Sequence, residues 1–338
     1  MVFGIALLSL FGIALVVEIV DDDDDSSSSS EPDGIEITGT EDADVIAGTA
    51  GADVLAGGDG EDTITGGDAS DTIEGGNGED LIEGNAGDDL LQGQADADVI
   101  IGGAGDDVIA SGQGNDFAQG RGGNDSLAGS LGADWLDGND GNDTVSAGFG
   151  DDSLLGGAGA DLLDGGAGND LMTGGVLANV DLSTSDLVGL RDGTLTFDQA
   201  AGLEDIDDNV LDVSDDDDDA RDTLIGGDGD DSILLGSGDT ATGGEGFDAF
   251  GILADALEGT QGLGTITDFV PGEDFIFVFD DLDLPAEPSI SVLTSGSDAI
   301  VALNGQPVTT VTGAAGSLSI DDIGFFTGLS ISFVDPVS

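Results

Sequence analysis

The sequence predicts an all-β chain: a right-handed parallel β-roll of nine-residue repeats, an apolar N-terminal helix before it and a small β-rich C-terminal domain after it. Three observations carry this. An aspartate recurs every nine residues from Asp44 to Asp170 without an insertion. An aliphatic residue stands two places after each aspartate, and glycines stand five and two places before it. Self-similarity at a short fixed period marks a solenoid, because one repeat cannot bury its apolar face alone and needs stacked neighbours.

The elements follow in chain order. Residues 1–20 are apolar, with no charge before Glu18. A helix over MVFGIALLSLFGIALVV (1–17) would fall slightly short of a ~30 Å hydrocarbon core at ~1.5 Å per residue. The basic n-region and small-residue cleavage site of a secretory signal are not evident. Membrane anchor, divergent signal peptide and buried capping segment all stay open as readings. DDDDDSSSSSEPDG lies within 21–38, a solvated acidic and serine-rich linker that stops a helix from continuing.

The roll proper occupies 39–175. An irregular insert spans 176–221 and contains the acid run 215–219; a second, shorter repeat block covers 222–248. Residues 249–338 change character. Prolines appear (Pro271, Pro285, Pro288, Pro307), and SISVL (289–293), DAIVAL (298–303) and PVTTV (307–311) alternate between SGS and NG turn signals. That pattern reads as antiparallel strands.

The repeat aspartates are Asp44, Asp53, Asp62, Asp71, Asp80, Asp89, Asp98, Asp107, Asp116, Asp125, Asp134, Asp143, Asp152, Asp161 and Asp170. The residues two places on run from Ile46 and Leu55 to Leu163 and Met172, with Ala118 the one small exception. Ser111 and Ala147 depart from the first glycine position, and Asp42, Ala69 and Asp96 from the later one. The consensus is Gly-Gly-x-Gly-x-Asp-x-aliphatic-x.

This consensus resembles the RTX family of hemolysin-type calcium-binding repeats, a nonapeptide pattern that signals a calcium-binding parallel β-helix. The resemblance covers the first block continuously and part of the second. There Asp222, Asp231 and Asp248 keep the pattern, but Asp248 follows Asp231 by 17 residues, and Thr240 stands near the intermediate position. TITDFVPGED (265–274) is similar to the segment that often follows such repeats and implies a strand closing the roll.

The physical reading runs beside the resemblance. Gly-Gly-x-Gly-x-Asp makes a six-residue turn and the next three residues a minimal strand, its middle side chain facing inward. Two repeats form one coil, and stacking brings alternate aspartates to one edge at about 5 Å spacing. Asp44, Asp62, Asp80 and their successors line one edge, and Asp53, Asp71, Asp89 and theirs the other. Such ladders are costly unless a hard cation takes those carboxylates together with carbonyls freed by the glycines. Calcium suits this demand. Magnesium keeps its waters, zinc wants nitrogen or sulfur ligands, and an EF-hand needs a twelve-residue loop.

If each ion bridges a turn and the turn two repeats on, the main block holds at most about 13. These ions leave much of the formal charge of −70 uncompensated. The remaining acids, Glu61, Glu79, Asp88 and Asp106 among them, read as solvated surface, and salt adaptation is a second source of acidity. Phe117 and Trp135 fall at outward positions and read as packed against a flanking segment rather than as a ligand platform.

Composition narrows function. Three arginines and no lysine exclude nucleic acid as a partner. The absence of His, Cys, Lys and Tyr removes the usual nucleophiles and general bases, so the chain reads as non-catalytic. The resulting expectation is a calcium-binding protein, extracellular or on a bacterial cell surface, that folds on calcium after export. The resemblance implies type I secretion with a signal near the C-terminus, with which GLSISFVDPVS (328–338) is compatible. Membrane contact through 1–17 is a further expected partner. The alternative is an adhesion module in which the roll is a calcium-stiffened spacer and 249–338 binds a surface, glycan or protein.

Overall fold

The computed structural model describes residues 34–175, 177–178, 212–213, 221–253, 263–280 and 289–327. The expected N-terminal helix, most of the linker and the C-terminal GLSISFVDPVS fall outside these. Among the described residues no helix is long and apolar enough to cross a membrane.

The chain opens with two three-residue strands, β1 (Glu36–Thr38) and β2 (Val45–Ala47). Six-residue strands then recur every nine residues: β3 (Val54–Asp59), β4 (Thr63–Asp68), β5 (Thr72–Asn77), β6 (Leu81–Ala86), β7 (Leu90–Ala95) and β8 (Val99–Ala104). The series continues with β9 (Val108–Gln113), β10 (Phe117–Gly122), β11 (Ser126–Leu131), β12 (Trp135–Asp140) and β13 (Thr144–Phe149). It ends in β14 (Ser153–Ala158), β15 (Leu162–Ala167) and the shorter β16 (Leu171–Thr173). Odd and even strands form two facing parallel sheets, each strand pairing with the one a coil away.

Strand and turn lengths differ from the sequence expectation. The strand takes six residues and the turn three, the reverse of a six-residue turn with a three-residue strand. Glycine is a poor strand residue, so the Gly-Gly pair reads as turn. In the fold it continues the ladder: Gly58, at φ +117°, lies inside β3 and pairs with Gly76. Only glycine takes up such a φ at no steric cost.

Two residues of each strand face inward. In β4 these are Ile64 and Gly66. The aliphatics from Ile37 and Ile46 to Leu163 and Met172 stack into one continuous core, nearly all fully buried. A single buried aliphatic contributes roughly 1.5–3 kcal/mol. Ordering nine backbone residues costs more than that, so the core alone does not hold a repeat.

At the insert the solenoid does not stop. β17 (Leu177–Ala178) and β18 (Asp212–Val213) form a short antiparallel pair at its base. The roll then resumes in register: β19 (Thr223–Asp228) pairs with β15, and β20 (Ser232–Leu235) pairs with β16. The two repeat blocks are thus one structure of about ten coils.

Both sheets also run on into the C-terminal region through β21 (Thr240–Glu245), β22 (Ala249–Leu253), β23 (Gly264–Ile266) and β24 (Phe275–Asp280). There follow β25 (Ile290–Ser295), β26 (Asp298–Leu303), β27 (Gln306–Val311) and, on the opposite sheet, β28 (Ile323–Thr327). β25, β26 and β27 are the expected antiparallel strands. Asn304 (φ +51°) and Gly305 (φ +81°) make the tight turn between the last two. The TITDFVPGED strand does not close the roll, because β27 stacks on β23 in parallel. Here the core thickens with Phe250, Ile252, Phe269, Val301 and Val311.

The outer faces of the two sheets differ. Val54 and Val108 are 50% and 47% exposed on the odd-numbered sheet, whereas Phe117 and Trp135 are each 1% exposed on the other. Their ring centroids lie 6.3 Å apart. This burial agrees with packing rather than with an open ligand platform.

Candidate metal sites along the two edges

Each three-residue turn ends in a repeat aspartate whose side chain points inward, back over the strand just completed. All eighteen predicted ligands are between 0% and 3% exposed. One edge carries Asp44, Asp62, Asp80, Asp98, Asp116, Asp134, Asp152, Asp170, Asp231 and Asp248. The other carries Asp53, Asp71, Asp89, Asp107, Asp125, Asp143, Asp161 and Asp222.

Within an edge one bond repeats. The backbone N–H of each aspartate donates to Oδ1 of the aspartate one coil on, as from Asp44 to Asp62 at 2.7 Å and from Asp116 to Asp134 at 2.9 Å. The aspartate carbonyl accepts from the first strand residue of the next coil, Thr63 to Asp44 at 2.9 Å being the first of these. Every ladder aspartate therefore shapes the turn through one oxygen.

The second oxygen differs. Oδ2 of Asp62, Asp71, Asp89, Asp107, Asp116, Asp125, Asp134, Asp143, Asp152, Asp170, Asp231 and Asp248 is buried and accepts no hydrogen bond. A buried, unsatisfied carboxylate oxygen is strongly unfavourable, and native structures keep few of them. The glycine five residues earlier explains the room it occupies. A Cβ on Gly57 would lie 2.2 Å from Asp62 Oδ2 and 2.6 Å from the Gly75 carbonyl oxygen. Anionic and carbonyl oxygens thus line a small space with no donor between them. Ser111 and Ala147, buried, stand at this glycine's position before Asp116 and Asp152.

Burial raises the carboxyl pKa values of these twelve aspartates, partly offset by the backbone N–H each accepts. Asp107, Asp116, Asp134, Asp152, Asp170 and Asp231 are pushed up to about 7, and Asp71, Asp143 and Asp248 to about 6. Neighbouring rungs add repulsion: Asp116 raises Asp134, and Asp134 raises Asp152. An opposite charge inside the turn would reverse both effects.

The donor set fits calcium. Among the described residues no three Asp, Glu, His or Cys side chains converge in one group. An ion would therefore rest on carboxylates of adjacent rungs plus backbone carbonyls, an all-oxygen shell suited to a hard, flexible cation.

Two ladder members escaped the sequence reading. Asp239 sits in the second edge, with the N–H of Asp222 donating to its Oδ1 at 3.1 Å. Thr240, which stands near that position in the sequence, is the first residue of β21. A one-residue deletion in the repeat starting at Ser232 moves the aspartate forward, and GSGD ending at Asp239 was the signal for it. Asp274 extends the first edge, accepting from the N–H of Asp248 at 3.2 Å, across 26 residues that no nine-residue count reaches.

Asp88 and Asp106 also do more than face water. They are exposed, yet Asp88 Oδ1 accepts from the Asp106 N–H at 2.9 Å, and Asp106 Oδ1 from the Asn124 N–H at 2.7 Å. This outer ladder runs in the opposite chain direction to the inner one. Ala69 and Asp96, in place of turn glycines, hold φ of +72° and +73°, so those turns keep their shape.

Fold and edges together define a parallel β-solenoid whose turns present buried carboxylates to a hard cation. The model of the RTX calcium-binding nonapeptide repeat matches residues 38–73, 57–91, 65–98, 83–118, 119–154, 146–180 and 216–240. The chain belongs to this family of calcium-binding repeat proteins. A comparison with curated proteins gives no match.

Proposed function

We propose that this is a non-catalytic protein of the cell exterior or surface whose roll folds when the ladder aspartates take up calcium after export. The observation that carries the reading is the row of buried Oδ2 atoms without a donor. Unneutralised, the row opposes folding in a chain already at a formal charge of −70. Ions in the turns remove that opposition, so binding free energy becomes folding free energy. Extracellular modules bind calcium with dissociation constants of roughly 10⁻⁴–10⁻³ M. The chain would then stay open inside a cell and close outside it. Export by a type I system is part of the proposal, supported only by the resemblance of the repeats to exported members of the family.

Circular dichroism during a calcium titration from excess chelator at pH 7.5 tests the coupling. A cooperative gain of β signal is expected, with magnesium failing to replace calcium. A spectrum already fully β-rich in chelator, unchanged by calcium, would sink the reading.

A further inference from the structure

The unpartnered Oδ2 atoms obey a rule set by the backbone four residues earlier. Before each of the twelve aspartates named above, that residue has positive φ. Gly58 before Asp62 is at +117°, Gly112 before Asp116 at +118° and Gly244 before Asp248 at +114°. Where the glycine is replaced the sign survives, as at Asn85 (+79°), Ser130 (+87°) and Asn139 (+69°).

Four rungs break the pattern, and all lie near the ends of the ladders. The Thr40 N–H donates to Asp44 Oδ2 at 2.6 Å and the Thr49 N–H to Asp53 Oδ2 at 2.5 Å. The Gly236 N–H donates to Asp239 Oδ2 at 2.7 Å and the Val270 N–H to Asp274 Oδ2 at 2.6 Å. None of these four donors has positive φ. The sign of φ swings the peptide plane, and β-branched Thr40, Thr49 and Val270 do not adopt the positive region without strain; Gly236 takes the same sign without that constraint, in the repeat that is one residue short. With negative φ the N–H faces the carboxylate and supplies the donor that the inner rungs lack.

We propose that the Oδ2 atoms of these end rungs hold no calcium because the chain itself closes them, so that the sign of φ four places before each aspartate selects which turns take an ion. This rests on the calcium reading above. Asp53 is the clearest case: its Oδ1 accepts from the Ile35 N–H at 2.6 Å, and the Thr49 hydroxyl adds a contact of 3.2 Å to each oxygen. Both of its oxygens are satisfied by protein donors. The ends thus keep their turn geometry without metal, and the inner rungs between them carry the calcium dependence.

Anomalous scattering from crystals of the full chain grown in calcium reads occupancy rung by rung. Ions are expected along the inner rungs and none on Oδ2 of Asp53, Asp239 or Asp274. Thr49→Gly, which frees φ, is expected to gain an ion at Asp53, and Thr49→Ala, which does not, to gain none. Gly67→Thr, whose Cβ would collide with the Thr49 carbonyl oxygen at the parent φ, is expected to turn that φ negative and empty Asp71. An ion on Asp53 Oδ2 in the parent, or Thr49→Gly leaving that rung empty, overturns the inference even if Gly67→Thr fails to fold. A parent that takes up no calcium anywhere overturns the calcium reading itself, and this proposal with it.

Discussion

The backbone N–H of Asp161 donates to Asp222 Oδ1 at 2.8 Å across 61 residues of sequence, and the same bond joins Asp143 to Asp161 at 2.7 Å across 18. Asp170 and Asp231 repeat the relationship on the other edge at 2.9 Å. The insert is therefore an excursion of 43 extra residues from an otherwise unbroken coil.

Excising residues 176–218 restores the eighteen-residue period, leaving Gly174, Gly175, Asp219, Ala220 and Arg221 ahead of Asp222. The shortened chain is expected to keep the calcium-dependent β signal and the parent's ion count. Shortening the connection also lowers its closure entropy by about 2 kcal/mol. Circular dichroism and calorimetry check this; a chain that no longer responds to calcium would make the insert part of the folding unit. The emission of Trp135, the sole tryptophan, reports in the same experiment whether its burial survives.

Asp116→Asn separates the two jobs of a ladder aspartate. The amide oxygen still accepts from the Asp98 N–H, a bond of 2.8 Å in the parent, so the turn keeps its shape. The buried negative charge is gone. The variant is expected to be more stable than the parent in chelator and less responsive to calcium. Thermal melts with and without calcium measure both, and equal destabilisation in both conditions would assign Asp116 a purely structural role.

The raised carboxyl pKa values give the metal-free roll an inverted pH profile. A group titrating near 7 when folded and near 3.8 when unfolded binds more protons in the folded state between those values. Stability from such groups is complete below about pH 3.8 and is lost as pH rises through about 7. In chelator the β signal is therefore expected to fall from pH 4 to pH 7.5. Calcium competes with the same protons, so its apparent affinity is expected to weaken as pH drops from 7.5 to 5.5. A pH-independent calcium midpoint over that range would contradict the assignment of these carboxylates.

Core truncation should act through calcium as well. Ile100 is fully buried between strands of two neighbouring coils. Ile100→Ala is expected to cost about 2–5 kcal/mol and to raise the calcium concentration at half-folding. Ile320→Ala, at an exposed site in the C-terminal region, is the control and should change neither. The calcium midpoint by circular dichroism distinguishes the two.

Much of this was legible in the sequence because a solenoid repeats its physics. Ile64 and Asp62 recur at fixed offsets in every coil, so the inward column and the carboxylate edges follow from the nine-residue spacing. Legibility failed where the period slips, at Asp239 and Asp274. It failed also where one residue type serves two ends: the Gly-Gly pair reads as turn but lies in strand, since what it supplies is room and a sign of φ. Asp88 reads as plain surface because its bond to Asp106 depends on a partner one full coil away.

The repeat, the core column, the two acidic edges and their fit to calcium are all set by the order of residues, since nine-residue spacing dictates which side chains stack. That the roll bridges its insert, that Trp135 and Phe117 are covered, and which carboxylates already have a donor become visible in the folded chain alone. Those outcomes rest on contacts made 18, 26 or 61 residues apart and on signs of φ that residue type alone does not fix, as Gly236 and Gly244 show by taking opposite ones.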